Sequence, residues 1–170
     1  GHSVNVGRLD GKPVPLRHRL LFPLAEAVVL LALRDQLGLT RVRIAACGGA
    51  TMAPDVFRMF HAIGVPLRNI YGSTETGLLT CHQGERFDLE TVGRWMESLP
   101  ALNAPLQWRV SEVGELQVRG GSPFLGYYRR EGSVESKLQD GWFQTGDAVT
   151  KTERGELVFL ERLSDLKRLR

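Results

Sequence analysis

The chain has 170 residues, of which 42% are hydrophobic and 24% are charged, and its formal net charge is +3. This length suits one ordinary domain or two small modules, and the apolar share argues against a largely disordered chain. The basic residues are scattered from Arg8 to Arg170 without a dense basic face, which argues against a nucleic-acid-binding module. The longest apolar run, residues 20–33, is too short to predict a transmembrane segment.

Cys47 and Cys81 are the two cysteines. One pair in a chain of this size is no disulfide framework, and reduced thiols fit a cytosolic protein. We therefore expect a cytoplasmic location, with peripheral membrane association as the alternative. Cys81-His82 lacks the CxxC or paired-histidine spacing of a structural zinc site, so no zinc is predicted.

The N-terminal part of the chain predicts a loop followed by an apolar helix. The first dozen residues are polar and contain glycine and proline, which is typical of a loop. Pro23 suits the first position of the helix, and Gly38 suits its end. Residues 20–33 are apolar around most of the helix, so they need cover on more than one side. We expect part of that cover to be missing, and the exposed helix then favours self-association.

The next segment predicts a strand, a helix and a second strand. Residues 41–45 alternate between polar and apolar side chains and lead into a turn of small residues at 46–50. Pro54 opens a helix with apolar residues at i, i+3, i+4 and i+7, and Gly64 ends it. Residues 65–70 are short and extended. Such a unit fits a parallel sheet whose functional loops follow the strand C-termini.

The second half changes to short alternating strands separated by turn signals. The predicted strands are residues 106–110, 115–118 and 157–160. Residues 133–136 resemble a helix start. We therefore predict a small antiparallel sheet or barrel in this half of the chain.

The fold class predicted from these patterns is α/β, with a partial parallel unit followed by a small antiparallel β module. The predicted division is an α/β subdomain at residues 1–82, a β-rich subdomain at 83–160, and the start of a hinge at 161–170.

Residues 71–77 read YGSTETG and form the first candidate site motif. Small polar residues let the backbone approach a phosphate, and their hydroxyls add donors. The candidate phosphate contacts are Gly72, Ser73 and Thr74. Glu75 would repel phosphate unless a cation bridges the two, and magnesium prefers such oxygen ligands. Tyr71 offers a flat face to an adenine. The alternative is a polar turn after a buried strand, with Tyr71 in the core.

Residues 142–147 read WFQTGD and form the second candidate motif. Asp147 can accept hydrogen bonds from both hydroxyls of a ribose; its alternative role is a turn residue that opens the strand at Ala148.

A third motif is the small-residue turn CGGA at residues 47–50. It contains Gly48, Gly49 and Ala50, and its alternative role is simple punctuation between a strand and a helix. Cys47 has no adjacent histidine or acidic partner, so a nucleophilic cysteine is not favoured.

Taken in this order, the motifs resemble the nucleotide site of the AMP-forming adenylating enzymes. That family includes acyl-CoA synthetases, luciferases and the adenylation domains of peptide synthetases. Gly114-Glu115-Leu116 and Gly126-Tyr127-Tyr128 lie at family-like positions between the first two motifs. The resemblance implies that Tyr71 lies against the adenine, and that the turn formed by Gly48, Gly49 and Ala50 flanks it.

The resemblance also implies roles for charged and hydroxyl residues. Thr74 would meet the phosphate and Glu75 would hold magnesium. Asp147 and Arg162 would bind the ribose. Asp165 would mark the hinge between the large and small domains of the family.

The function implied by the resemblance is carboxylate activation. Such an enzyme joins a small-molecule carboxylate to AMP with ATP and Mg²⁺, releases pyrophosphate, and passes the acyl group to coenzyme A. The Arg-Leu pair after the hinge looks most like bacterial long-chain fatty-acid–CoA ligases. The alternatives are an adenylation domain that loads a carrier-protein thiol, a non-catalytic nucleotide-binding module, or a module that docks a partner through the helix at residues 24–37.

The sequence departs from the family pattern at several points. Ser164 and Arg168 stand where the family often has lysine. The Ser/Thr/Gly-rich loop with its lysine is missing, and the small C-terminal domain would begin after Arg170. We therefore expect an internal fragment of the large domain, whose partners are the N-terminal part and C-terminal domain of the same parent. Without those charges the chain alone should not adenylate; carboxylate-dependent exchange of pyrophosphate into ATP would contradict this.

Overall fold

The structure is a computed structural model that describes residues 2–49, 52–96, 106–120, 126–129 and 135–166. The chain divides into two compact units. The first comprises Gly1–Ile70 and His82–Glu90, and the second comprises Tyr71–Cys81 and Thr91–Arg170.

The described elements are five α-helices, nine strands and three short helical turns of other types. The α-helices are α1 (Gly7–Leu9), α2 (Leu16–Ala25), α3 (Leu31–Gln36), α4 (Pro54–Ala62) and α5 (Leu163–Leu166). The strands are β1 (Ala45–Cys47), β2 (Leu67–Ser73), β3 (Gly77–Cys81), β4 (Gly93–Trp95), β5 (Gln107–Val110), β6 (Glu115–Arg119), β7 (Leu138–Gln139), β8 (Trp142–Lys151) and β9 (Glu156–Arg162). His2–Val6 and Glu26–Leu30 are π-helical, and Glu135–Lys137 is a 3₁₀ turn.

The compact units and the predicted subdomains divide the chain differently. The break falls inside β2, after Ile70, so residues 71–81 belong to the second unit and residues 82–90 to the first. A strand that continues from one unit into the next has no composition change at the break, so the sequence carries no signal there. The predicted subdomains at 1–82 and 83–160 stay a prediction.

The first unit contains the predicted parallel strand–helix–strand arrangement. Strands β1 and β2 pair in parallel, with Ala45 opposite Leu67. Helix α4 connects them and begins at Pro54, as predicted, and Gly64 follows it with a positive φ of 85°. The buried core of this unit consists of Leu9, Phe57, Leu67, Phe87 and Leu89. The parallel part of the predicted fold is therefore confirmed.

Two predictions about the first unit are wrong. The N-terminal residues are helical rather than a loop, and Val4 and Val6 are buried. Their burial stabilises a helix that the polar and glycine-containing sequence does not favour by itself. The first strand begins at Ala45, where the predicted strand ends, and the preceding Ile44 is exposed. Pairing with β2 decides this register, since strand propensity depends strongly on the neighbouring strand.

The predicted start of the apolar helix at Pro23 is also wrong. Helix α2 begins at Leu16, directly after Pro15, and Pro23 lies inside it. An interior proline costs about 3 kcal/mol in a helix, which is why the sequence favours Pro23 as a first residue. The helical run continues through the π-helical segment, where the N–H of Leu31 bonds to the carbonyl of Glu26. Gly38 follows the last turn with a φ of 69°, as predicted.

The apolar helical run exposes much of its surface. Leu20 is 70% exposed and Leu24 is 65% exposed, and Val28 is equally open. A contiguous apolar surface of this kind is typical of an interaction site. Among the described residues, no helix has both the length and the apolar character needed to cross a bilayer.

The second unit is an antiparallel sheet, as predicted. Its complete strands lie in the order β3-β4-β9-β8-β6-β5, and the short β7 pairs with β8. One face packs on a core of Leu79, Leu116, Val118, Val149 and Leu157. The predicted strands at 106–110, 115–118 and 157–160 are present as β5, β6 and β9, and the α/β fold class is confirmed. The predicted helix start falls partly outside the described residues, and its described end is the 3₁₀ turn.

Candidate nucleotide-binding site

The first motif forms a tight turn between β2 and β3 in the second unit. A Cβ atom on Gly72 would collide with the carbonyl oxygen of Gly77, so only glycine fits where the chain turns back on itself. The hydroxyl of Thr76 accepts a hydrogen bond from the backbone N–H of Ser73 at 3.2 Å. Thr74 lies at the exposed tip of the turn. The motif is therefore a polar turn with Thr74 exposed, and its contact with a phosphate stays a prediction.

Glu75, in the same turn, has two partners from later in the chain. The hydroxyl of Tyr127 donates a hydrogen bond to its Oε1 atom, and Lys137 Nζ lies 3.6 Å from that oxygen. The bond from Tyr127 lowers the pKa of Glu75 to about 2, although burial by itself would raise it. Glu75 is therefore an ionised carboxylate at neutral pH, held beside the turn.

Sequence reasoning gave no role to Tyr127 or Lys137. Tyr127 belongs to a family-like motif, but the distance of 52 residues to Glu75 hides their contact. Lys137 lies in the short 3₁₀ turn and reaches Glu75 with its ammonium group, while its side chain also lies over the ring of Phe143 at 5.6 Å. No local pattern connects these residues, since only the fold brings them together.

The donor set around Glu75 fits magnesium in one limited way. Among the described residues, no group of three or more His, Cys, Asp or Glu side chains is arranged to hold a metal ion. Magnesium often uses only one or two protein carboxylates, however, with phosphates and waters as its other ligands. Glu75 is an ionised oxygen donor beside the turn, so it fits a magnesium ion that a nucleotide mainly holds. The ammonium of Lys137 would have to give way to that ion.

Asp147, from the second motif, is a buried residue in the middle of β8. It is 4% exposed, and its Oδ2 atom accepts a hydrogen bond from the hydroxyl of Tyr71 at 2.5 Å. Its backbone N–H donates to the hydroxyl of Thr145 at 3.1 Å. The alternative in which Asp147 is a turn residue that opens a strand is wrong, because β8 begins at Trp142.

Arg162 lies beside Asp147 because β8 and β9 pair with these two residues opposite each other. The Arg162 Nε atom is 3.0 Å from Asp147 Oδ1. This is an ion-pair distance, but the geometry is not that of a hydrogen bond, and no described group donates a hydrogen bond to Oδ1. A buried carboxylate oxygen without a donor is costly unless another molecule supplies one. Asp147 Oδ1 is therefore a buried acceptor that lacks a hydrogen-bond donor among the described residues, with the Arg162 cation beside it.

Tyr71 lies in the core, as the alternative interpretation of the first motif expects, and its hydroxyl also contacts Asp147. Its ring packs against the buried core of the second unit and lies 6.1 Å from the ring of Phe159. Burial, together with the hydrogen bond to Asp147, raises the pKa of Tyr71 far above its ordinary value. The hydroxyl therefore keeps its proton and remains a donor to Asp147. Tyr71 is part of the core and part of the candidate site.

The third motif belongs to the first unit, after β1. A Cβ atom on Gly48 would lie 2.7 Å from the carbonyl oxygen of Ile70, so this position requires glycine. Gly49 has a φ of 83°, which also favours glycine. Ala50 lies outside the described residues. Burial raises the pKa of the Cys47 thiol, which agrees with the absence of a predicted nucleophilic role.

The structure thus gathers some predicted residues of the second unit, together with two unpredicted ones, into two clusters. The first cluster, the ribose cluster, consists of Tyr71, Asp147 and Arg162. The second, the turn cluster, consists of Glu75, Tyr127 and Lys137. Asp165 lies apart from both sets of contacts, exposed in α5 directly after β9.

Comparison with known proteins identifies the family. The family model described as AMP-binding enzyme matches residues 16–128. The chain belongs to this family. The predicted resemblance to the AMP-forming adenylating enzymes is therefore confirmed.

Relatives of this chain in the family carry different names. Over 142 residues the chain is 32% identical to the long-chain-fatty-acid–CoA ligase FadD15 of Mycobacterium bovis, covering 83% of this chain and 22% of that protein. Two solved structures share its fold. O-succinylbenzoate CoA synthetase of Bacillus subtilis, in complex with ATP and magnesium, has a TM-score of 0.59 at 25% identity. The match covers 72% of this chain and 27% of that protein. The amide bond synthetase McbA of Marinactinospora thermotolerans has a TM-score of 0.61 at 27% identity. The match covers 85% of this chain and 30% of that protein.

The chain spans only about a quarter of the length of the curated relatives that it matches, with 22% for FadD15 and 24% for a second mycobacterial fatty-acid–CoA ligase.

Proposed function

We propose that this chain forms the adenosine-binding part of an enzyme that activates a carboxylate with ATP. In this proposal Tyr71 and the Gly48-Gly49-Ala50 turn contact the adenine, while Gly72, Ser73 and Thr74 contact the phosphates. Asp147 and Arg162 bind the ribose, and Asp165 belongs to a hinge between two domains of the parent.

One observation carries the proposal. Asp147 is buried, ion-paired with Arg162 and hydrogen-bonded to Tyr71, yet its Oδ1 atom has no hydrogen-bond donor among the described residues. A ribose hydroxyl is a neutral donor of suitable size, and charge-assisted hydrogen bonds of this kind are stronger than neutral ones. Membership of the AMP-binding family supports the same ligand.

Glu75 would hold the magnesium ion that accompanies ATP. The ion, when bound, would neutralise charge on the phosphates and so favour attack of the carboxylate on them. The chain's own contribution is to keep Glu75 ionised beside the turn, through the hydrogen bond from Tyr127.

The parent enzyme is proposed to be an AMP-forming carboxylate–CoA ligase that acts on a long-chain fatty acid. The likeness to FadD15 supports a long-chain fatty acid as the carboxylate and coenzyme A as the acceptor of the acyl group. The likeness to a succinylbenzoate–CoA synthetase favours a different carboxylate with the same acceptor. A parent of this kind would work in the cytoplasm, with its remaining parts as partners of this chain.

A second candidate function differs in the acceptor. The amide bond synthetase McbA shares the fold at 27% identity, and its name describes amide formation. In this alternative the parent would pass the activated acyl group to an amine instead of a thiol. Assay of the parent with ATP, a fatty acid and either coenzyme A or an amine would separate the two products by mass.

Binding of AMP to the chain tests the proposal directly. We expect saturable binding of AMP in isothermal titration calorimetry, weaker binding of 2′,3′-dideoxy-AMP, and loss of the difference in Asp147→Ala. The matched control is Glu153→Ala, which also removes one negative charge but from an exposed turn residue. The absence of AMP binding by the wild-type chain would contradict the proposal.

Self-association through the apolar helical run remains a separate proposal. The exposed side chains of Leu20, Leu24 and Val28 support it, because burial of such a surface is favourable. Sedimentation velocity should reveal concentration-dependent dimers, and Leu24→Lys should weaken them. A strictly monomeric wild-type chain at high concentration would overturn the proposal.

A further inference from the structure

The hydroxyl of Tyr71 has a defined task in the ribose cluster. It donates to Asp147 Oδ2 at 2.5 Å, across 76 residues of sequence. This distance is at the short end for a hydrogen bond between a hydroxyl and a carboxylate, as charge assistance predicts. The donor belongs to β2 and the acceptor to β8, so the bond holds the Asp147 side chain against another strand of the same unit.

The bond determines which carboxylate oxygen lacks a hydrogen-bond donor among the described residues. Oδ2 is occupied by Tyr71, whereas Oδ1 faces Arg162 and accepts no hydrogen bond from a described group. The terminal torsion of an aspartate is broad, so without a partner the two oxygens could exchange positions. With Tyr71 and Arg162 on opposite oxygens, the plane of the carboxylate is set before any ligand arrives.

The ring of Tyr71 does not need its hydroxyl for packing. Its contacts with the core and with Phe159 involve the aromatic ring, which a phenylalanine would reproduce. The hydroxyl adds a permanent donor, because burial and Asp147 both keep it protonated. Its function is therefore separable from the packing function of the ring.

We propose that Tyr71 is a positioning residue for ribose recognition, whose hydroxyl orients Asp147 so that Oδ1 receives a ribose hydroxyl. The inference rests on the proposed function and adds to it a task for Tyr71 beyond contact with the adenine. It implies that the hydroxyl of Tyr71 affects the affinity for a ligand only when that ligand carries ribose hydroxyls.

The test is a titration of the chain and its variants with AMP and with 2′,3′-dideoxy-AMP. Tyr71→Phe should bind AMP about five- to tenfold more weakly, which is within the range for the net contribution of one typical hydrogen bond. It should bind 2′,3′-dideoxy-AMP within about twofold of the wild type, since that ligand has no ribose hydroxyl to donate to Asp147. Tyr128→Phe is the matched control, because it removes the hydroxyl of a tyrosine that is 85% exposed.

A double-mutant cycle with Asp147→Asn separates positioning from a merely structural role. Asparagine keeps the shape and one acceptor oxygen but removes the charge. If Tyr71 acts through Asp147, the effects of the two substitutions on the ratio of AMP to dideoxy-AMP affinity will not add. The cycle also covers the case in which Tyr71→Phe is destabilised, since thermal melting of each variant shows whether it is folded.

The outcomes distinguish this inference from the proposed function. Wild-type chain that prefers AMP over its dideoxy analogue, with an unchanged preference in folded Tyr71→Phe, would overturn the inference and leave the proposed function standing. Equal losses for both ligands would also overturn it, because the hydroxyl would then serve the adenine or the fold. Wild-type chain without AMP binding would overturn both.

Discussion

Two tyrosine hydroxyls donate to carboxylates in the second unit, and the surroundings of the two pairs differ. Asp147 has a side chain only 6% exposed and a neighbouring arginine on the paired strand β9. Glu75 has a side chain 14% exposed, lies in a turn, and pairs with a lysine whose side chain is 39% exposed. Strand pairing fixes the first carboxylate, whereas the second depends on a turn and on a flexible lysine. The carboxylate of Asp147 therefore suits a ligand that donates a hydrogen bond to one fixed oxygen. The carboxylate of Glu75 suits a site where a metal ion replaces the lysine ammonium.

The largest expected effect belongs to the buried pair. Asp147→Ala should cost about 1.5–3 kcal/mol of AMP affinity, because it removes a charged acceptor. It should also destabilise the chain, since the Tyr71 hydroxyl would lose its acceptor inside the unit. Calorimetry measures the affinity and urea denaturation the stability. An Asp147→Ala variant that binds AMP like the wild type would remove the contrast between the two pairs.

The effect of magnesium on ATP binding should depend on Glu75 and not on Asp147. Glu75→Gln should reduce the gain in ATP affinity that magnesium brings by roughly five- to tenfold, less than the loss of a whole contact to a charged group, because glutamine keeps one oxygen ligand. Its affinity for AMP without metal should stay close to that of the wild type. Titrations with ATP, with and without magnesium, measure both. If Asp147→Ala lost the magnesium effect and Glu75→Gln kept it, the assignment of the two pairs would be reversed.

Acid should weaken the exposed pair in a defined range of pH. The pKa of Glu75 is lowered to about 2 from an ordinary value of 4.5. The carboxylate therefore stabilises the folded chain fully above about pH 4.5, and this stabilisation is lost as the pH falls toward 2. The difference in Tm between wild type and Glu75→Gln should be constant near about pH 6 and shrink by about pH 3. A difference that does not vary with pH would mean that the ionised form of Glu75 is not stabilised by its partners.

The smallest expected effect is that of the lysine in the turn cluster. Lys137→Met removes the ammonium, which lies near Glu75 and also over the ring of Phe143. An exposed ion pair contributes about 0–1 kcal/mol, so the change in the free energy of unfolding should lie in that range. Lys151→Met is the matched control, because its ammonium lies over the Trp108 ring. A loss well above that of the control would mean that Lys137 is a structural partner of Glu75 rather than an exchangeable one.

Local sequence patterns predicted some elements well and others poorly. Helix α4 follows its proline, its apolar spacing and its final glycine, so it forms as predicted. The N-terminal helical residues were missed, because burial of Val4 and Val6 overrides a sequence that is locally typical of a loop. The interior position of Pro23 was missed because a local rule for proline does not take account of the helical turns on either side of it.

Candidate site residues in the second unit were predictable only as separate motifs. Tyr71 and Asp147 each stand in a motif that resembles a known family, but neither motif contains information about the bond between them. Tyr127 and Lys137 had no predicted role, because their partner Glu75 lies 52 and 62 residues away in the sequence.

By itself, the sequence determined the chemistry that this chain can offer. The residue types in its motifs provide a carboxylate for a ribose, hydroxyls for a phosphate and an aromatic ring for a base, and their order indicates the family. Only the tertiary structure decided which of these groups contact one another. The pairing of β8 with β9 places Arg162 opposite Asp147, and the path of β2 brings the Tyr71 hydroxyl to the other oxygen. The pairing of β8 with β9 follows a short turn, so its register is partly local. The bond from Tyr71 to Asp147 joins segments 76 residues apart, and no local pattern encodes that contact.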